Sequence, residues 1–132
     1  MTMEDIKYYS IPIDIYHHKI HYIIGNSKQA LKVLEKKTSK ANVIELKNKD
    51  MSLYDGYYSL LPNRDSFIWI RENLDSKDFF GTIAHEALHA TFSILDIVGI
   101  KLSVESEEAF TYLHEYIFNA LIWEDEEDKN IE

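Results

Sequence analysis

The stretch that most limits what this chain can fold into is "SFIWI", Ser66 to Ile70. Successive side chains of a strand point to opposite faces, and Phe67, Ile68, Trp69 and Ile70 are apolar on both. Such a strand has to be covered on both sides, so other elements must pack against each face of its sheet. Just upstream, "DGYYSLL" opens a strand at Gly56, "PNRD" supplies a turn, and "SFIWIR" returns, which predicts a hairpin.

The flanks suggest what does the covering. "YYSIPIDIYHHKIHYIIG" is β-branched and aromatic with rough alternation, and predicts a strand from about Ile11 to Ile24. In "NSKQALKVLEKKTSK", Asn26 or Ser27 can cap a helix that carries Ala30, Leu31 and Leu34 on one face. "ANVIELKNKDMSL" reads as a loop with room for a short strand. "DSKDFFGTIAHEALHATFSILDI" starts after a cap at Asp75 or Ser76 and predicts a long helix that Gly99 breaks. "SVESEEAFTYLHEYIFNALIW" predicts a last helix capped by Ser103 or Ser106. The expected architecture is α+β, as one domain over residues 1–123 with an acidic, solvated and frayed tail over 124–132.

The long helix carries the chemistry. "HEALH" places His85, Glu86 and His89 within five positions. At about 100° per residue the two histidines lie about 40° apart on the helix surface and one turn along it. Phe80, Ala84, Ala87, Leu88, Ile94 and Leu95 fall on the other side and are expected to face the core. Two imidazoles at this spacing reach one Zn²⁺ at about 2.0–2.1 Å each. Glu86 lies beside them, near enough to hold and deprotonate a water on the metal, yet turned so that it need not be a ligand. With no cysteine in the chain, any metal must be held by histidine and carboxylate.

A catalytic zinc takes a third protein ligand and keeps one position open. Glu108 comes 19 residues after His89, and a reversal at Gly99 brings the early turns of the last helix back toward the metal. Phe110, Leu113, Ile117 and Leu121 form the core stripe of that helix, opposite Glu108. Glu105 and Glu107 are alternatives in the same turn, and all three also suit the helix dipole.

These residues resemble a family. "HEALH" followed by "EEAFTY" is similar to the gluzincin metallopeptidases, in which a Glu opening the next helix is the third zinc ligand. The resemblance implies His85, His89 and Glu108 as ligands and Glu86 as general base. "DGYYSLL" and "SFIWI" ahead of "TIAHEALHATF" also resemble the small zincin-like proteins of phages and prophages, over residues 53 to 122. One departure stands out: where many gluzincins carry an Asp or Asn that orients a zinc histidine, this chain has Tyr112. Glu115, or a backbone carbonyl, is then the expected acceptor. The implied fold is a minimal zincin-like domain, and the implied activity is zinc-dependent hydrolysis of a peptide or protein. An inactive zinc-bound module that acts on a host factor by contact, and a metal-free interaction domain, are the competing expectations.

Other residues have plainer readings. His17, His18 and His21 belong to a strand surface, or to a second metal site. His114 is expected to be partly buried with a partner. Tyr54, Tyr57 and Tyr58 sit on the strand that zincins use to hold an extended substrate, where one can donate to a tetrahedral oxyanion, and where core packing is the more common fate of a tyrosine. A net charge of −9 argues against nucleic acid or an anionic membrane as partner. The start "MTMEDIKYYS" is charged where a secretory signal is apolar, and no later apolar run is long enough to span a bilayer. A soluble cytoplasmic protein is the default expectation. The sequence does not indicate an oligomeric state.

Overall fold

The hairpin around "PNRD" forms: β3, Gly56–Leu60, pairs antiparallel with β4, Ser66–Ile70, from Gly56 opposite Ile70 to Leu60 opposite Ser66. The structure, a computed structural model, describes residues 6–131, with the backbone alone for 125–131. On its other edge β4 pairs in parallel with β2, His18–Ile24, and β2 pairs antiparallel with β1, Lys7–Ile13. The order β1-β2-β4-β3 makes a four-stranded mixed sheet with β4 inside, and every residue of β4 is buried. With four helices among the described residues, the fold is α+β.

Two sequence expectations change here. The single strand over Ile11–Ile24 is two strands, joined by a 3-10 turn at Asp14–Tyr16 and by His17 in the left-handed region at φ 52°. No glycine marks this reversal, and alternation continues through it in the sequence. Histidine is one of the few non-glycine residues that enter that region with some ease. Residues 41–53 hold no strand: a short helix α2, Lys40–Val43, is followed by 3-10 turns at Leu46–Asn48 and Met51–Leu53.

Those turns and α1, Ser27–Lys37, cover one face of the sheet. Ala30, Leu31, Leu34, Val43, Leu46 and Met51 pack on Ile23, Phe67 and Trp69. The Trp69 indole N–H donates to the Gly25 carbonyl at 2.8 Å, so this large ring is buried without stranding its polar atom. Of the two expected caps the helix uses Asn26, whose Oδ1 accepts from the backbone N–H of Lys28 at 3.0 Å and of Gln29 at 3.2 Å.

The other face carries α3, Ser76–Ile97, and α4, Glu107–Ile131. Ile83, Ala87, Ala90, Ile94 and Leu95 of α3 meet Ile20, Tyr22, Ile68 and Ile70 of the sheet. From α4 come Phe110, Leu113, Ile117 and Leu121, the stripe expected from the sequence. Each large apolar side chain buried this way contributes roughly 1.5–3 kcal/mol. Asp75 caps α3 by accepting from Asp78 N–H at 2.8 Å. Beyond its end, Gly99 takes φ 83°, and Ile100 N–H returns to Leu95 O at 2.9 Å. The chain then reverses, and α4 runs antiparallel beside α3: the Phe92 and Phe110 rings lie 5.5 Å apart, and His114 Nε2–H donates to Ala84 O at 3.2 Å. The acidic tail continues the α4 backbone to Ile131, and the side chains of 125–131 lie outside the described residues. No helix among the described residues is long and apolar enough to cross a membrane.

Candidate metal centre

The centre lies where α3 crosses β3 at Gly56. A Cβ there would sit 2.5 Å from Thr82 Cγ2 and 3.1 Å from Glu86 Cγ, so the approach of strand to helix requires glycine. Glu86 fits beneath this crossing and is 5% exposed. Burial raises its carboxyl pKa, and the neighbouring His85 pulls the other way. A carboxylate held like this takes a proton more readily than one on the surface, as a general base should.

His85 and His89 are exposed above it, one turn apart. Their Nε2 atoms face each other at 3.2 Å, with the rings edge-on at 72°. Two ligands bound at about 2.0–2.1 Å with a near-tetrahedral angle stand about 3.1–3.4 Å apart, so the pair needs almost no movement to share a metal. One ligand atom from each of His85, Glu86 and His89 lies within 4.8 Å of the others, a group that can hold a metal ion.

The surroundings fix this geometry. The Tyr58 ring stacks on His89, with centroids 6.4 Å apart and planes 17° apart. The Tyr58 hydroxyl bonds Ser66 Oγ at 2.7 Å, and Ser66 Oγ in turn bonds His18 Nε2 at 2.8 Å. Burial raises the Tyr58 pKa, against hydrogen bonds to Ser66 and Ser93 that lower it. Tyr58 is thus an anchor for His89, and its hydroxyl is already engaged. Tyr57 faces the opposite core, with its ring tilted against that of Tyr54 at a centroid distance of 6.0 Å. Tyr54 is 53% exposed and lines a cleft of about 490 Å³ together with Asp55, Gly56, Thr82, His85 and Glu86. Arg71 holds this wall in place: its guanidinium donates to the carbonyls of Ser52 and Tyr54 and lies 3.4 Å from Asp55 Oδ1.

The rotation of α3 differs from the expected one. Ala87, Ile94 and Leu95 are buried as expected, but Phe80 and Leu88 are 44% and 43% exposed. Ile83, Ala90 and Thr91 take their place in the core. The apolar residues of this helix cover more than half of its circumference, so its sequence pattern fixes its rotation only weakly.

Glu107 and Glu108 at the start of α4, and Glu105 in the turn before it, are exposed and outside the group of three. The contacts Ala84–His114 and Phe92–Phe110 bracket the histidine pair, which is therefore level with residues 110–114. Glu108 lies about one turn away along the axis, and helical side chains lean toward the N-terminus, here away from the pair. Glu115 is exposed one residue past the bracket. Among the described residues His17, His18 and His21 form no second metal group. His21 instead bonds Tyr8 and Asp65, and His114 is partly buried with a carbonyl partner as expected. The sequence did not indicate the Arg71 brace or the Tyr58–Ser66–His18 line, because both depend on cross-strand register.

No family model, no curated protein and no solved structure matches this chain.

Proposed function

We propose that the chain is a zinc-dependent peptidase with a minimal zincin-like fold, in which His85, His89 and Glu108 hold the metal and Glu86 is the general base. The observation that carries this reading is the facing Nε2 pair at 3.2 Å with a buried carboxylate beside it. A bound zinc supplies Lewis-acid polarisation of the scissile carbonyl and a lowered water pKa. Glu86 removes the proton from the attacking water and delivers it to the leaving amine. An extended peptide pairs with β3, the outer strand of the sheet, and so passes along the cleft. Tyr54 lines the same cleft, and in this reading its hydroxyl donates toward the oxygen that gains charge.

A zinc-bound module that acts by contact alone is the second reading. It draws support from the distance of Glu108 from the pair and from Leu88 and Phe92, each 43% exposed on the same helix. Metal content and peptide cleavage, measured on the wild type and on Glu86→Gln, separate the two. The peptidase reading expects about one zinc per chain in both proteins and cleavage of a mixed peptide library by the wild type alone. Zinc in both proteins with cleavage by neither favours the contact module. A wild type that takes up no zinc at micromolar excess refutes both.

A further inference from the structure

The face of the sheet away from the histidine pair has a different electrostatic character. Residues 26–50 carry seven lysines against Glu35, Glu45 and Asp50, a local charge of +4 that leaves −13 for the rest of the chain. A cleft of about 630 Å³ opens between α1 and the turns at 47–52, with Lys28, Lys32, Lys47 and Lys49 around it. Its floor is apolar, made by Leu31 and Met51, which are 8% and 2% exposed. Lys47 is paired with Glu35 at 2.8 Å, and the Asp50 carboxylate accepts from the Ser52 N–H and hydroxyl. Lys28, Lys32 and Lys49 have no carboxylate partner among the described residues.

Three unpaired ammonium groups around one concavity repel each other, in a chain with carboxylates to spare. A cleft lined by one sign of charge also concentrates counter-ions. Asn26 already caps α1, so the attraction for an anion comes from the lysines rather than from free helix N–H groups. Lysine binds phosphate well as a point charge. No aromatic or arginine side chain lines the cleft, and those are what stack bases or grip an extended backbone. The strongly acidic remainder of the chain also repels a long polyanion.

We infer that this cleft binds a small phosphorylated ligand, with its phosphates among Lys28, Lys32 and Lys49 and its apolar part over Leu31 and Met51. The test is calorimetric titration of the full chain at low salt with adenosine diphosphate, inorganic pyrophosphate and a short single-stranded oligonucleotide. The diphosphate should bind at one saturable site per chain, and pyrophosphate should displace it. Affinity should fall at least tenfold in the triple variant Lys28→Ala, Lys32→Ala, Lys49→Ala and also in Lys32→Glu. It should hold in Lys77→Ala with Lys101→Ala, and in His89→Ala, which disables the proposed metal site on the other face. Absence of saturable binding, or an equal loss in the Lys77 and Lys101 control, overturns the inference. Loss in His89→Ala moves the ligand to the metal. Oligonucleotide binding that pyrophosphate fails to displace replaces the small ligand with nucleic acid.

Discussion

On the α1 face of the sheet, His21 is 3% exposed and both of its ring nitrogens are engaged. In the neutral ring, Nε2–H donates to Asp65 at 2.8 Å and Nδ1 accepts from the Tyr8 hydroxyl at 2.7 Å. On the α3 face, His85 and His89 turn their Nε2 atoms toward each other in the open, beside a buried carboxylate. Both regions combine histidine with carboxylate, yet only the second sets two ring nitrogens face to face, 3.2 Å apart. Residue type is the same in the two places. Backbone placement makes the difference, since a helix sets two histidines on one side a turn apart, while the strand drives His21 into a closed set of partners.

The largest expected effects test this contrast directly. His85→Ala or His89→Ala should lower zinc affinity by at least about 100-fold, beyond what loss of an outer partner costs. Stability of the metal-free chain should change by less than about 0.5 kcal/mol, because both rings are exposed. His21→Ala should do the reverse, leaving zinc binding intact while stability falls by about 2–4 kcal/mol as Tyr8 and Asp65 lose their partner. Mass-spectrometric metal content and denaturant unfolding read the two quantities. Global unfolding of His89→Ala would erase the distinction.

Next in size is the third ligand. Glu108→Gln should weaken zinc binding by about 10–100-fold in competition with a chromophoric chelator. Glu107→Gln should lose only about 0.3–1 kcal/mol of first-turn dipole stabilisation, Glu105→Gln, ahead of the helix, should lose less, and both should keep their zinc. If either of those, or Glu115→Gln, releases zinc while Glu108→Gln does not, the ligand set is wrong by about a helical turn.

Two glycines sharpen the picture on the α3 side. Gly56→Ala puts a methyl 2.5 Å from Thr82 Cγ2 and 3.1 Å from the Trp69 carbonyl oxygen, and should cost about 1–3 kcal/mol while displacing Glu86. Gly81→Ala meets nothing within 4 Å, sits inside α3, and should stabilise by about 0.5–1 kcal/mol. Thermal unfolding of the pair checks both signs, and a neutral Gly56→Ala would mean that β3 does not hold Glu86 in place.

A further effect concerns pH. Burial raises the Glu86 pKa above its ordinary value of 4.5, so the folded chain binds this proton more tightly than the unfolded chain. The stability linked to that proton is fully present below pH 4.5 and is lost as pH rises through the higher folded value. Without metal, Glu86→Gln should therefore stabilise the chain at neutral pH by about 1 kcal/mol, within the range of single stabilising changes. The gain should vanish below pH 4.5. Melting curves in chelator across pH decide it, and a gain that persists in acid would have another cause.

Much of this contrast was legible in the sequence, for reasons that can be named. The pair His85 and His89 needs only helical periodicity, and Asn26 and Asp75 were each one of two adjacent cap candidates, because a side-chain oxygen two or three residues ahead of a donor is a local matter. The covering of β4 on both faces followed from Phe67 to Ile70 alone. What stayed hidden depends on distant partners. The break at Asp14–His17 has no glycine to mark it, the rotation of α3 is set by two neighbours rather than by its own apolar residues, and the fate of His21 rests on Asp65, 44 positions away. The lysine cleft was masked by a net charge that sums two opposed surfaces.

The strand order has a consequence for how the molecule assembles. The hairpin and the histidine helix are one continuous piece of chain, residues 56–97, while the parallel joint must bring Ile20 beside Ser66, 46 positions apart. Hairpins close in about 1–10 μs, whereas long-range parallel pairing is slow because the entropy of the closed loop comes due first. The histidine pair should thus gather over its floor before β2 arrives, and Ser66 meets His18 only at the last step. Pulsed hydrogen exchange during refolding should protect the amides of 56–60 and 66–70 ahead of those of 18–24, and simultaneous protection would show that the sheet closes in a single event.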